Sequence, residues 1–471
     1  MQLTVKEIAA ATGGLLCSDE DCMRKQITGI TWDSRKVAAG DAFLAMPGQR
    51  VDGNDYLLAA IGNGAAMIIC TRKPDDNTVA IAGEFTCPVL VVDDGVEALT
   101  KLASYWRTRL RCVVVGVTGS TGKTSTKDML YSVLSQRYKT VATQGNNNNE
   151  IGIPYTVLRA NSDTEVLIVE MGMRGMGQIS AGCKIATPSI GVVTNVGVCH
   201  MELLGSREAI AQAKGEMLAC LPATGLAVVN ADDDMTDYML EQAQVEEHST
   251  RVVRFGRGQD ACTKVANVAI GQDGCASFDL TVDNGDTVPV KLAVPGEHNI
   301  MNACAAAVVG NYLGVSADHI AAGLGAAQAS GMRMEISTAP GGFTIINDAY
   351  NANPDSMRAA LDTLCSMSCS GKRIAVLGGM GELGENEAAL HGQVGADVAA
   401  SKVDVLVCVG ELAAAIAAGA KVAGATCDIE CVRDVAGAVE ALRRIVAEGD
   451  LVLLKASRFM GFEQIVEEIS R

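Results

Sequence analysis

This sequence is short of positive charge: 38 Lys and Arg stand against 55 Asp and Glu, a formal net charge of -17 over 471 residues. A general binder of nucleic acid or of an anionic membrane surface needs a basic face, so both classes are excluded as expectations. Any anionic ligand must instead be met by a local cluster of Lys, Arg, metal ions and backbone N–H groups. Aromatic residues are scarce at 4%, with 2 Trp. Long apolar runs are missing too. The Ala-rich stretch from Leu412 to Ala425 is broken by Lys421 and several glycines, so no membrane insertion is expected. The opening residues, Met1-Gln2-Leu3-Thr4-Val5-Lys6, lack the basic start and apolar stretch of a secretory signal, and a cytoplasmic location follows as the expectation.

Cysteine is present in number, 16 in all, but no Cys-x-x-Cys pair occurs. The tightest spacings are Cys365/Cys369 and Cys427/Cys431. These residues read as small hydrophobes in a reducing compartment rather than as zinc ligands or redox centres. The length predicts about three domains. A chain 48% hydrophobic with 50 Gly suits an α/β protein whose short side chains let helices pack closely on sheets.

Three regions separate by pattern. Residues 1–111 carry short strands such as Asp41 to Met46, Met67 to Cys70 and Pro88 to Val92. Residues 112–331 open with the apolar strand Cys112 to Gly116. They repeat a strand-then-helix rhythm through Val166 to Glu170, Ile190 to Asn195 and Leu226 to Asn230, as parallel strands covered on both faces do. Asp-Gly and Asn-Gly turns between Arg251 and Pro295 predict a small antiparallel excursion there. Residues 332–471 hold the strands Phe343 to Asn347, Arg373 to Leu377, Val403 to Val407 and Leu451 to Lys455, separated by helical stretches. The fold class expected is α/β with three domains: the first region, a central parallel-sheet domain built like a P-loop ATPase, and a C-terminal Rossmann-like domain.

The most specific feature is Gly116-Val117-Thr118-Gly119-Ser120-Thr121-Gly122-Lys123-Thr124, set between a strand and a plausible helix from Lys123 to Tyr138. Backbone N–H groups at a helix start wrap phosphate oxygens, and glycines let the backbone approach. Gly119, Ser120, Thr121, Gly122, Lys123, Thr124 and Ser125 are therefore expected to bind ATP. Lys123 would reach the outer phosphates and the Thr124 hydroxyl a Mg²⁺ ion. The general pattern wants a glycine where Val117 stands. The loop alone leaves a hydrolytic switch, a kinase and a ligase open.

Other candidates follow from position. Strand ends gather ligands in parallel sheets. Glu170 and Asn195 end strands and His200 follows, so Glu170 and His200 could hold Mg²⁺, or be a solvated strand end and a loop residue. On the helix Ser206 to Leu221, Lys214 shares a stripe with Ile210, Met217, Leu218 and Leu221. It must find an anion, snorkel, lose its charge or be modified at its amine. The run Gln144 to Gly152, with Asn146 and Asn149, offers amides or is an ordinary polar turn. Asp348 to Asp355 places acid and amide groups at a strand end. Lys455-Ala456-Ser457-Arg458 follows another strand, suited to a carboxylate or phosphate.

Together these segments resemble the Mur ligases, the ATP-dependent amide-forming enzymes of peptidoglycan precursor synthesis. The loop is similar to that family's G-x-T-G-[ST]-x-G-K-[ST] form, which accounts for Val117. Asn146 to Pro154, Glu170-Met171-Gly172, Asn195-Val196-Gly197 with His200, Ala213 to Glu216 and Pro295 to Asn302 resemble its successive segments. Asp348 to Met357, Leu377 to Gly384 and Lys455 to Arg458 point, within the family, to the step that joins D-alanyl-D-alanine to UDP-N-acetylmuramoyl-tripeptide through an acyl phosphate. Asp33-Ser34-Arg35 and Gly48 to Gly53 resemble UDP-sugar-binding segments. Asn54, Gly379 and Ala456 stand where the pattern commonly has His, an acid and Gly.

The resemblance implies ATP and Mg²⁺ as cofactors, and a UDP-sugar-binding role for residues 1–111. It implies a catalytic set of Lys123, Lys214 and His200, with Thr124, Glu170, His200 and a carbamylated Lys214 on the metal. Asn299, Asn302, Arg333, Asp348 and Asn351 are implied on the nucleotide, and Ser34, Arg35, Asn146, Asn149, Lys455 and Arg458 on the substrates. A monomer is expected. A sister ligase adding diaminopimelate would carry an Asp-Asn-Pro-Arg segment, absent here. Folylpolyglutamate synthase lacks the first domain, and a non-catalytic nucleotide binder need not keep Glu170, His200 and Lys214 in order.

Overall fold

The computed structural model describes residues 1–18, 20–48, 51–283 and 285–470. Gln49 and Arg50, in the expected UDP-sugar segment, lie outside the described residues. The chain forms two compact units. The first comprises residues 1–116, 138–172 and 178–189, and the second residues 117–137, 173–177 and 190–471. Compactness thus divides the middle region, and the break falls inside the strand Val113–Thr118.

In the first unit a five-stranded sheet runs in the order Leu15–Leu16, Val89–Val91, Met67–Cys70, Asp41–Leu44, Gly29–Thr31. All pairings are parallel except that of the outermost Leu15–Leu16. Phe43, Ile68, Val89 and Ala60 meet in one apolar core. The helix Gly95–Arg107, capped by Asp94, buries Ala98, Leu99, Leu102, Ala103 and Trp106, one stripe at helical spacing. It packs on the helices Gly152–Arg159 and Gln178–Ala186. The Trp106 indole donates to Ala160 O at 2.8 Å, which satisfies its one polar atom.

In the second unit Leu226–Asn230 lies between Ile190–Val193 and Arg251–Phe255, all parallel. Arg251–Phe255 was expected in the antiparallel excursion, and the structure corrects this. Its alternation reflects a strand half-covered on one side, not a hairpin. The excursion itself begins later, as Lys264–Ile270, Cys275–Thr281 and Thr287–Pro295, an antiparallel three-stranded sheet.

The last sheet runs Glu335–Thr338, Thr344–Asn347, Leu451–Lys455, Arg373–Leu377, Val405–Val409, Asp428–Val432. It is parallel apart from its first strand. Because strand side chains alternate, Ala375, Leu377, Leu406 and Leu453 enter one core, and Ile374, Val376, Val407 and Val452 enter the other. Helices Pro354–Ser366, Glu387–Ala399 and Ala414–Val422 cover the first face; Val435–Ile445 and Glu463–Ile469 cover the second. This is the doubly wound arrangement expected. Two helices cross very closely: a Cβ on Gly395 would lie 2.1 Å from Ile416 O, and one on Gly419 2.1 Å from Gly392 O. Glycine is required at both positions by room alone. Among the described residues no helix is long and apolar enough to cross a membrane, no cysteine forms a disulfide, and eight of the sixteen are buried.

Candidate active site

The loop after Val113–Thr118 leads into the helix Lys123–Leu134, whose buried Met129, Leu130, Val133 and Leu134 face the helix Asn299–Tyr312. Gly119 and Gly122 have φ of 148° and 76°. A Cβ on Gly119 would stand 1.8 Å from Thr194 Oγ1, and one on Gly122 2.5 Å from Asn302 Oδ1. Both conformation and room therefore demand glycine. No side chain caps the helix start. An uncapped start presenting backbone N–H groups is a ready anion cradle.

The cradle is held from outside by one segment. Ser120 N–H donates to Asn195 O at 3.0 Å, Thr121 N–H to Asn195 Oδ1 at 2.9 Å, and Gly197 N–H to Ser120 Oγ at 2.8 Å. The Lys123 ammonium donates to Gly119 O at 2.7 Å and Ser120 O at 3.3 Å, folding the cation over the loop. Behind the helix start, buried Asn302 accepts from Thr126 Oγ1 at 3.1 Å and donates to Asn299 at 2.8 Å. Thr124 is buried and Ser125 lies in the helix's first turn.

Lys214 sits on the helix Arg207–Ala219 among buried Ile210, Met217 and Leu218, and is itself 1% exposed. At that burial it does not snorkel. Burial first, and then the charge of Lys123, lower its ammonium to about 7; the Cys199 thiol and Asp233 pull the other way. No ion pair to it occurs among the described residues. Burial therefore favours the neutral amine far more than in an exposed lysine. Asp233 is occupied by the Val196 N–H at 2.6 Å and the Met235 N–H at 2.9 Å.

His200 lies in the left-handed region, with φ 64°, before the short helix Met201–Leu204. Its Nδ1 is 2.5 Å from Glu382 Oε2, and Glu382 Oε1 is 3.7 Å from Arg174 Nε. The bond to His200 holds the Glu382 carboxyl below the usual range; desolvation opposes it, and the charges of His200 and Arg174 add smaller lowering effects.

Asp348, Asn351 and Lys455, assigned to two different ligands by sequence, are joined to one another. Lys455 Nζ donates to Asp348 Oδ2 at 2.5 Å and Asn351 O at 3.1 Å, and the lysine is 2% exposed. The Arg333 guanidinium stacks 3.8 Å over the Tyr350 ring. Arg458 is half exposed and pairs with Glu463 at 2.9 Å.

The remaining candidates belong to the first unit. Glu170 is buried; its carboxylate accepts from Asn148 Nδ2 at 2.7 Å, and its N–H donates to Thr143 Oγ1 at 3.0 Å. Asn149 Oδ1 accepts the Gly152 N–H at 3.0 Å where the helix Gly152–Arg159 begins, while Asn146 O accepts the Asn148 N–H at 2.7 Å. Arg35 is exposed and bound twice by Asp33, at 2.8 and 2.9 Å, which takes the Asp33 carboxyl down to about 2; Ser34 O accepts from Asn63. Asn148, Asp233 and Glu382 were not singled out by sequence. Glu382 lay inside the segment Leu377 to Gly384, but its partner is 182 residues away.

The Mur ligase family catalytic domain matches residues 26–107, the Mur ligase middle domain residues 117–310, and the Mur ligase glutamate ligase domain residues 332–458. The UDP-N-acetylmuramoyl-tripeptide–D-alanyl-D-alanine ligase of Bacillus subtilis is 35% identical over 469 residues, covering 99% of this chain and 98% of that one. A crystal structure of MurF from Acinetobacter baumannii superposes with a TM-score of 0.85 at 31% identity, covering 100% of this chain and 99% of that one. MurF from Thermotoga maritima in complex with ADP gives 0.77 at 28% identity, covering 94% and 97%. With full-length identity above 30% and three successive domains matched, the chain belongs to the Mur ligase family.

Proposed function

We propose that this enzyme is an ATP-dependent ligase that joins D-alanyl-D-alanine to UDP-N-acetylmuramoyl-tripeptide in peptidoglycan precursor synthesis. The observation that carries the reading is the glycine-bounded cradle of Gly119 and Gly122 with Lys123 folded over it and neutralisable Lys214 in its electrostatic reach. A carboxylate is a poor electrophile. Its oxygen attacks the γ-phosphorus of ATP, ADP leaves, and an acyl phosphate forms. The dipeptide amine then attacks the acyl carbon, and phosphate departs with the amine proton lost to solvent or base.

Lys123 and the loop N–H groups hold the phosphates and neutralise charge developing on the transferred group. The oxygen donors of Thr124 and Glu170 suit a hard cation, and the His200 imidazole adds a softer donor, so these residues would hold Mg²⁺. When bound, the ion neutralises phosphate charge. The neutral amine of Lys214 can add to CO₂, forming a carbamate and releasing a proton, which turns a cation into an anionic ligand. Asn299, Asn302, Arg333, Asp348 and Asn351 serve the nucleotide side. Lys455 holds Asp348 and Asn351 in place, and half-exposed Arg458 meets the dipeptide carboxylate. Ser34 and Arg35 serve the UDP moiety, and Asn146 and Asn149 the substrate side. Domain boundaries at 111/112 and 331/332, a monomer and a cytoplasmic location complete the reading.

The test is ATP-dependent phosphate release with UDP-N-acetylmuramoyl-tripeptide, comparing D-Ala-D-Ala, D-Ala-D-lactate and single amino acids. Release only with D-Ala-D-Ala is expected. Turnover with a single amino acid alone, or without any amine, overturns the assignment.

A further inference from the structure

We propose that Glu382 is a positioning residue that fixes His200 in the Nδ1–H tautomer, leaving Nε2 as the lone-pair nitrogen able to act as a ligand. Neutral imidazole in water favours the other tautomer. A carboxylate oxygen 2.5 Å from Nδ1 reverses that preference, because only an N–H can meet it favourably. Hydrogen bonding of the second ring nitrogen to a carboxylate is also what orients a ligating histidine and raises its basicity.

The surroundings are built for such a contact. His200 and Glu382 both take left-handed backbone conformations, φ 64° and 62°, which non-glycine residues adopt at a cost. The two strained positions point their side chains at each other. Arg174 Nε lies 3.7 Å from the other Glu382 oxygen and favours the ionised carboxylate. The segment bearing Glu382 is itself anchored. Met380 N–H donates to His391 Nε2 at 2.9 Å, His391 Nδ1 is 2.7 Å from Glu387 O, and Gly381 N–H donates to Ser457 Oγ at 3.0 Å.

The functional half of this proposal rests on reading His200 as a Mg²⁺ ligand, and the experiment separates the two. In protein carrying ¹⁵N-histidine, long-range NMR correlations at pH 8 report the tautomer of each imidazole, with His200 assigned by loss of its signals in His200→Gln. The wild type is expected to show Nδ1–H at His200, Glu382→Ala mainly Nε2–H, and Glu382→Gln an intermediate state, because its amide oxygen still accepts. With Glu382→Ala, kcat should fall about 10-fold or more while KM for D-Ala-D-Ala stays near the wild-type value. An unchanged tautomer in Glu382→Ala overturns the proposal. So does a kcat at or above wild type, which would make Glu382 a latch that must release His200. Mn²⁺ binding to the ADP complex, followed by electron paramagnetic resonance, should weaken in His200→Gln. Unchanged Mn²⁺ affinity there overturns the ligand reading of His200, whatever the tautomer does.

Discussion

Replacing Lys214 by Met should stabilise the protein while nearly abolishing its activity. The substitution keeps the aliphatic stem in its apolar stripe and removes only the ammonium. In the folded chain that group titrates at about 7, whereas its ordinary value is 10.5. The folded value is the lower one, so between those pH values the unfolded chain holds the extra proton and wild-type stability rises with pH. Below pH 7 both states are protonated and the full cost of burying the charge is present, about 5 kcal/mol. By pH 9.5 most of that cost has gone, leaving about 1 kcal/mol. Lys214→Met escapes the cost throughout. Its calorimetric transition, measured without ligands in CO₂-depleted buffer, should therefore lie on the order of 10 °C above wild type at pH 6.5. The gap should shrink to a few degrees at pH 9.5. Ligand-dependent phosphate release should be lost at both pH values. A variant that melts with or below the wild type at pH 6.5, or a gap that does not narrow, would show that the lysine is accommodated as a satisfied cation.

Gly119→Ala must place a Cβ against Thr194 Oγ1 in a conformation L-residues avoid, costing about 1–3 kcal/mol. Titration calorimetry should show ADP affinity down at least tenfold, and wild-type affinity would mean the loop can relax. His391→Leu strips the acceptor from the buried Met380 N–H, a loss of about 1–3 kcal/mol. Thermal melting should fall by several degrees; no change would imply a substitute acceptor. Asp348→Asn leaves the buried Lys455 ammonium without its carboxylate, at about 3–5 kcal/mol. The double variant Asp348→Asn/Lys455→Met should recover most of that stability in urea unfolding. Equal stability of single and double variants would show that the pair carries no such energy.

The phosphate loop was legible because its chemistry is local: nine consecutive residues supply the strand end, the glycines and the lysine. The doubly wound C-terminal sheet was legible for a related reason, since Ile374 to Leu377, Val405 to Val409 and Leu451 to Leu454 are apolar on both faces without interruption. Arg251–Phe255 was misplaced because a half-covered parallel strand and a hairpin strand share the same alternation. Lys214 was legible as a conflict, a charge on an apolar stripe, but only its 1% exposure removes the snorkelling alternative. The His200–Glu382 contact was not legible at all. No periodicity links residues 182 positions apart, and both positions depend on left-handed backbone that propensity argues against.

Asp348 and Lys455 show where strand-end reasoning needs geometry to finish it. Each ends a parallel strand or follows one directly, so the rule that ligands gather there picked out both, and the family resemblance then placed one on the nucleotide and the other on the substrates. Adjacent strands Thr344–Asn347 and Leu451–Lys455 bring the two side chains to the same edge, and opposite charges at 2.5 Å neutralise each other. A cation already spent on a carboxylate attracts a second anion weakly. Buried Lys455 is thus committed to the Asp348–Asn351 segment, whereas half-exposed Arg458 pairs with Glu463 where solvent reaches it. Strand-end position therefore identifies which residues share a site, whereas burial and pairing decide which of them can touch a ligand.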